Sequence, residues 1–121
     1  MTKSISYYRS KGFDDKTSAY FASGRKRVVS VSANTDFTLV LKFDNGETRI
    51  FDASALITPG SVFAFLSDFT AFRRVYVDEN GAVAWDKDPA VDSKSVWSNR
   101  VDISSDTCYL DSIPQEVSEH A

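Results

Sequence analysis

Residues 37–52 have the sequence FTLVLKFDNGETRIFD, and this pattern predicts a β-hairpin. Large apolar side chains occupy every second position before the turn, and Asn45-Gly46 provides two residues that accept positive φ in a type I′ turn. An isolated hairpin is only marginally stable in water, so other segments must cover its apolar face. The expected register pairs Phe43 with Thr48, Leu41 with Ile50 and Leu39 with Asp52, leaving Val40 and Phe51 on the reverse face.

The flanking segments predict an α+β fold around this hairpin. A β-branched run at 28–31 predicts a preceding strand, so that three strands form an antiparallel meander. Apolar residues at helical spacing predict a short helix over 60–67, and a second Asn-Gly turn within 79–81 predicts a second hairpin. A further short helix is expected to pack Trp97 against the sheet as an anchor. The predicted architecture is therefore one antiparallel sheet of about five strands with two short helices, one between the hairpins and one after them.

Charge divides the chain of 121 residues unevenly. Residues 1–27 carry seven basic residues and two acidic ones, whereas the remainder carries seven basic and fifteen acidic. We expect a basic, aromatic and partly ordered N-terminal arm over 1–27, in which Asp14 or Asp15 caps a helix that ends before Gly24. A single α+β domain is expected over 28–103, followed by an acidic, flexible C-terminal tail over 104–121.

Composition predicts a cytoplasmic protein with no membrane segment. The single cysteine, Cys108, excludes an intramolecular disulfide, so nothing favours an oxidising compartment. No apolar run approaches the roughly 20 residues that a membrane-spanning helix needs. We expect a monomer or a small homo-oligomer.

Candidate catalytic and metal-binding residues are sparse. The single histidine, His120, lies one residue from the end of the chain, and Cys108 has no local partner that would activate it. Asp86, Asp88 and Asp92 form an acidic cluster, but it lacks the glycine and terminal glutamate of a calcium loop, which favours a solvated turn. The expectation is a protein that is not an enzyme and that uses no metal and no cofactor.

A small hydrolase is the competing catalytic hypothesis. It requires a cleft with a carboxyl group of raised pKa near Asp52 or Asp78. The register above places Asp52 inward beside Leu39, which is unusual for an acid. The simpler interpretation is that the Asp52 carboxylate caps the 53–57 connection through a hydrogen bond.

A set of residues in a fixed order over roughly residues 28–97 resembles the bacterial family called domain of unknown function 2442. The residues that carry the resemblance are Phe43 to Glu47, Arg49, Phe51, Asp52, Leu56, Val62, Phe63, Leu66, Phe72, Val75, Val77, Asp78, Gly81 and Val83 to Trp85. The resemblance implies a compact α+β binding or regulatory module, in some members fused to a helix-turn-helix or encoded beside a second small protein as in toxin–antitoxin pairs. The basic arm and the acidic tail lie outside the pattern, and the C-terminal part lacks a convincing helix-turn-helix.

The functional hypothesis is a non-catalytic protein-binding regulatory module, antitoxin-like or a small inhibitor of a partner protein, including phage or mobile-element counter-defence. Aromatic anchors and exposed strand edges are common means of binding a protein. The alternative is a nucleic-acid-binding regulator whose basic arm contacts phosphates while its aromatic residues stack on bases, although the acidic remainder of the chain disfavours it. The candidate partner-binding residues are Tyr7, Tyr8, Tyr20, Phe21, Arg25, Lys26, Arg27, Arg73 and Arg74.

Overall fold

The computed structural model describes residues 4–12 and 14–115, apart from the side chains of Ile5 and Tyr8. The α+β class predicted from the sequence is confirmed. The helices are α1 (Ile5–Ser10), α2 (Asp15–Ser23), α3 (Phe69–Phe72) and α4 (Ser105–Leu110). The strands are β1 (Val28–Ala33), β2 (Thr38–Phe43), β3 (Thr48–Asp52), β4 (Tyr76–Val77), β5 (Val83–Asp86), β6 (Arg100–Ile103) and β7 (Ile113–Pro114).

Within the described residues the strands form two antiparallel sheets rather than one sheet of about five strands. The first sheet has the order β1-β2-β3-β7, and the second has the order β4-β5-β6. The two sheets approach each other where the Val28 amide donates to the Gly81 carbonyl at 3.0 Å. The meander and the second hairpin are therefore present, and residues after 99 extend both sheets.

The register predicted for the first hairpin is wrong by one residue. Leu39 pairs with Phe51 and Leu41 pairs with Arg49, so Phe51 shares the core face with Leu39. Asp52 pairs instead with Thr38 and is exposed. A shift of one residue moves every side chain of a strand to the opposite face, which explains why Phe51 is buried although the predicted register placed it on the reverse face.

The cause of the shift is a loop of three residues, 44–46, in place of a two-residue type I′ turn. The Phe43 amide donates to the Glu47 carbonyl at 2.9 Å, and the Gly46 amide donates to the Phe43 carbonyl at 3.0 Å. Gly46 has φ +89°, as expected for the left-handed residue that closes a three-residue hairpin loop. The second hairpin repeats this design, since Asp78 pairs with Ala82 around residues 79–81.

The core lies between the two sheets and the short helices. Trp85 is fully buried, and its indole Nε1 donates to the Phe72 carbonyl at 2.9 Å. The rings of these two residues stack with centroids 5.8 Å apart. The other buried members of this apolar cluster are Val28, Leu39, Leu41, Phe43, Phe51, Ala53, Leu66, Val83, Ile103 and Cys108.

The helix predicted over 60–67 is not formed as an α-helix. Gly60 has φ +84°, which belongs to a turn, and Val62 is 64% exposed rather than packed on the sheet. A 3₁₀ turn occupies Ala64–Ser67, after which the Asp68 carboxylate accepts from the Thr70 amide and caps α3. Backbone geometry at the glycine and a new cap at Asp68 thus divide the apolar run into two shorter elements.

The segment expected as a second helix is also different. Trp97–Asn99 forms a 3₁₀ turn, and Val101 belongs to strand β6. Trp97 is exposed, so the prediction that it packs on the sheet is wrong. Helix α4 and strand β7 occupy much of the predicted flexible tail, and β7 pairs with β3 through Ile113 and Ile50. Residues 116–121 of that tail lie outside the described part of the chain.

The described residues of the N-terminal arm form two helices. Asp14 caps α2 by accepting from the Thr17 amide at 2.7 Å, and Gly24 follows its end with φ +96°. The capped helix ending before Gly24 was expected from the sequence, whereas α1 was not. Among the described helices, none combines the length and apolar character needed to cross a membrane.

Candidate protein-binding surface

The arm is fastened to the domain by a carboxylate on α4. The Tyr20 hydroxyl is buried and donates to Asp106 Oδ1 at 2.6 Å. Arg25 forms a salt bridge with the same carboxylate, its Nε lying 3.1 Å from Oδ2. Burial raises the pKa of Asp106, but hydrogen bonds from Arg25 and Tyr20 outweigh it, and the pKa lies below the ordinary value. These contacts join residues more than 80 positions apart in the sequence.

The other two residues of the basic triplet also contact the domain. Lys26 is only 9% exposed, and its ammonium lies over the rings of Tyr20 and Tyr109. Arg27 connects the two hairpin loops, because its amide donates to Asp44 Oδ1 at 3.1 Å and its Nη2 donates to the Glu79 carbonyl at 2.7 Å. The structure therefore shows intramolecular contacts for Arg25, Lys26 and Arg27, which the sequence suggested as partner-binding residues.

Of the remaining predicted binding residues, Tyr20 and Phe21 lie beside the triplet, with the Lys26 ammonium 4.9 Å from the Tyr20 ring centroid and the Arg25 guanidinium 5.9 Å from the Phe21 ring centroid. Tyr7 on α1 is exposed, with the Lys11 ammonium 5.5 Å from its ring centroid, whereas the side chain of Tyr8 lies outside the described residues. Phe21 on α2 is half-buried and contacts the Tyr20 ring edge-on. Arg73 and Arg74 are exposed where α3 ends.

The most conspicuous exposed group is Trp97, at 83% exposure. Its neighbour Val96 is 47% exposed, so two adjacent apolar side chains are exposed to solvent. Strand β6 begins three residues later and forms one edge of the second sheet. We call Val96, Trp97 and the edge of β6 the Trp97 surface.

The loop that carries Trp97 is held by a buried asparagine. Asn99 Nδ2 donates to the carbonyls of Asp88 at 3.0 Å and Val91 at 3.2 Å, and to Ser93 Oγ at 3.0 Å. Its Oδ1 accepts from the Asp88 amide at 2.9 Å, and its carbonyl accepts from the Lys87 amide at 2.7 Å. One side chain thus fixes both ends of the loop, so Trp97 is exposed on an ordered support.

A second set of hydrogen bonds attaches the loop to the sheet. Asp86 Oδ1 at the end of β5 accepts from the Ser93 hydroxyl at 2.5 Å and from the Tyr76 hydroxyl at 2.7 Å. Burial, together with the hydrogen bond to Asp86, raises the pKa of Tyr76 to about 12, so this phenol is protonated at neutral pH. The loop is therefore hydrogen-bonded to β5 through Asp86, and the same carboxylate binds β4 through Tyr76.

Comparison with protein families gives a match to the family described as protein of unknown function (DUF2442) over residues 28–110. The chain belongs to the DUF2442 family. The match covers more than half of the chain, includes both hairpins and the Trp97 surface, and begins after the arm. No curated protein and no solved structure matches the chain.

Within the DUF2442 domain, Cys108 is enclosed in the core. Burial raises the pKa of its thiol to about 12, and Sγ lies 3.6 Å from the Ile103 carbonyl. A buried thiol with this pKa is protonated at neutral pH, so Cys108 contributes to core packing and does not act as a nucleophile. His120 lies outside the described residues.

The acidic residues of the DUF2442 domain have local structural contacts. Asp52 Oδ1 accepts from the amide of Ser54 at 3.0 Å, as the capping interpretation predicted. Asp88 and Asp92 each accept from a backbone amide two residues further along. In the described part of the chain, no three metal-ligating side chains converge. Two members of the acidic cluster, Asp88 and Asp92, thus stabilise turns, whereas Asp86 accepts from the hydroxyls of Tyr76 and Ser93.

The exposed Trp97 was missed by sequence reasoning because its pattern is that of a core residue. Val96, Trp97 and Val101 suit the apolar face of a helix. The residues that instead expose Trp97 are polar, chiefly Asn99 and Ser93, and their role depends on contacts that a periodicity does not encode. A buried asparagine beside an exposed tryptophan becomes apparent only in the folded chain.

Proposed function

We propose that this DUF2442 protein is a non-catalytic, cytoplasmic module that binds a partner protein through the Trp97 surface and regulates it, in the manner of an antitoxin or a small inhibitor. The observation that carries the proposal is the 83% exposure of Trp97 on a loop fixed by Asn99. Because the loop is already ordered, Trp97 loses little conformational entropy when a partner binds. Covering its exposed ring contributes favourable free energy of apolar burial.

The energetics favour a protein partner. Tryptophan is among the residues that dominate protein interfaces, where its truncation costs about 2 kcal/mol or more. The adjacent edge of β6 offers main-chain groups to which an extended partner segment can pair, as in strand addition. Tyr7, Arg73 and Arg74 are exposed and remain candidate partner contacts. Arg25 and Arg27 instead form hydrogen bonds that hold the arm to the domain.

The nucleic-acid alternative remains a prediction. It assigned phosphate contacts to the basic triplet, whose side chains contact Asp106, Ser23 and the Glu79 carbonyl in the folded chain. Arg73 and Arg74 are the exposed basic pair on the domain. A protein partner is therefore the proposal that the arrangement of exposed groups supports best.

Affinity capture from the native host with three baits tests the proposal. The baits are the wild type, Trp97→Ala and the matched control Val62→Ala, which truncates another exposed apolar residue. A partner that is recovered by the wild type and the control, and lost from Trp97→Ala, supports the assignment. Equal recovery of the same proteins on all three baits contradicts it, provided that circular dichroism shows each bait to be folded.

A further inference from the structure

A pocket of about 360 Å³ opens between the arm and the DUF2442 domain. It lies at the meeting of α2, the first hairpin and α4. Three of its lining residues are basic and none is acidic. The lining residues with polar or aromatic side chains are Lys16, Tyr20, Ser23, Lys26, Arg49 and Tyr109.

Lys26 gives this pocket a buried positive charge. Its ammonium donates to Ser23 Oγ and lies 4.9 Å from the ring centroid of Tyr20 and 5.3 Å from that of Tyr109. Among residues 4–12 and 14–115, no carboxylate lies within salt-bridge distance of Lys26 Nζ. An ammonium has three donors, and here one of them has an oxygen acceptor. A lysine that is nine-tenths buried, whose ammonium lines the pocket without a counter-ion, favours the approach of an anion.

The Arg49 side chain also lines the pocket, and several contacts fix its orientation. Its Nε and Nη2 both donate to Ser112, each at 2.7 Å, and its Nη1 lies 3.1 Å from Glu47 Oε1. The guanidinium carbon lies 4.3 Å from the centroid of the Tyr109 ring. Glu47 thus offsets the charge of Arg49, whereas the charges of Lys26 and of Lys16, at the exposed mouth of the pocket, are not offset by an acidic lining residue.

We propose that this pocket binds an oxyanion, namely phosphate or the phosphoryl group of a small molecule, between Lys26 and Lys16. Charge-assisted hydrogen bonds from ammonium groups to phosphate oxygens are short and strong, and the buried position of Lys26 shields them from water. The pocket is large enough to hold a phosphoryl group together with part of a small molecule. Lys16 belongs to α2 and Lys26 follows that helix, so both proposed ligands of the anion lie on the arm. This site is independent of the Trp97 surface.

Titration of inorganic phosphate into the ¹⁵N-labelled full chain, at constant ionic strength, tests the site. The expected result is a saturable shift of the amide signals of the lining residues. Lys26→Gln is expected to weaken binding about tenfold or more, and the exposed Lys16→Gln to weaken it measurably without affecting folding. Lys42→Gln, an equal charge change on β2 outside the pocket, is the control and is expected to bind as the wild type does.

A parallel titration with ribose 5-phosphate distinguishes the two sources of the anion. Tighter binding of the ester than of inorganic phosphate assigns the pocket to small phosphorylated molecules, and equal binding assigns it to the free anion. The absence of a saturable shift with either probe overturns the proposal. Equal losses in Lys16→Gln and Lys42→Gln also overturn it, because they show a general charge effect in place of a site.

Discussion

Replacement of Asn99 by alanine tests whether this residue holds the Trp97 loop in place. The side chain is buried, its Nδ2 shares two hydrogens among three acceptors, and its Oδ1 accepts from the Asp88 amide, which amounts to about three full hydrogen bonds. Each such bond contributes about 0.5–1.5 kcal/mol net. We therefore expect Asn99→Ala to lower the free energy of unfolding by about 2–4 kcal/mol, which lowers Tm by on the order of 10 °C for a chain of this size.

Urea and thermal unfolding followed by circular dichroism measure this loss. Ser98→Ala is the matched control, since Ser98 is an exposed neighbour in the same 3₁₀ turn, and we expect its unfolding free energy within about 0.5 kcal/mol of the wild type. Hydrogen exchange of the Asp88 amide should also accelerate in Asn99→Ala. If Asn99→Ala unfolds at the same urea concentration as Ser98→Ala, the loop does not depend on Asn99 and the reasoning is refuted.

Three further substitutions or treatments test other parts of the structure. Gly81→Ala should destabilise the chain by about 1–3 kcal/mol, because Gly81 has φ +75° and a Cβ there would lie 2.7 Å from Arg27 Cβ. Gly46→Ala is the control and should lower the unfolding free energy less, because Gly46 has φ +89° but open space around it. Equal losses of stability in urea unfolding would contradict the close approach of Gly81 to Arg27. In the folded chain burial raises the pKa of Asp106, but hydrogen bonds lower it by more, so the folded pKa lies below the unfolded one. Ionised Asp106 therefore stabilises the fold at pH values above its unfolded pKa, and this stabilisation is lost as the pH falls through the folded pKa. Unfolding of Asp106→Asn, followed from neutral pH into the acid range, should therefore show lower stability at neutral pH and a weaker decline below about pH 4; an unchanged decline would show that another group is responsible. Cys108, whose thiol pKa burial raises to about 12, should resist alkylation by iodoacetamide at pH 8 until the chain unfolds, and rapid labelling of the native chain would contradict its burial.

The hairpins were predictable because local chemistry encodes them. Alternating apolar residues and Asn-Gly turns act within a few positions, so both hairpins and the α+β class follow from the sequence. The register of the first hairpin did not follow, because it depends on whether two or three residues form the loop. Asn45-Gly46 is compatible with either length, and only the pairing of Phe43 with Glu47 decides between them.

The short helices were less predictable because backbone geometry overrides apolar spacing. The left-handed conformation of Gly60 and the cap at Asp68 place helix α3 after the predicted segment. The apolar residues of that segment still pack on the core in part, as Phe63 and Leu66 show. The spacing therefore identified residues that contribute to burial while assigning them to the wrong element.

Docking of the arm depended on contacts over long sequence separations. Tyr20 and Asp106 are 86 positions apart, and no periodicity links them. The same limit applies to the candidate site, since the exposure of Trp97 results from hydrogen bonds of Asn99 to residues 88–93. The sequence therefore predicted Trp97 as a packed residue, and its exposure became apparent only from the folded chain.

The most direct measurement of the central claim is the affinity of the captured partner, once purified, for the wild type and for Trp97→Ala by isothermal titration calorimetry. An aromatic anchor at the centre of an interface predicts a loss of about 2 kcal/mol or more, which is roughly a thirtyfold rise in Kd, while Val62→Ala leaves Kd unchanged. Unfolding curves of the two variants verify that both are folded. A Trp97→Ala variant that is folded and binds the partner with the wild-type Kd would contradict the assignment of the Trp97 surface as the binding site.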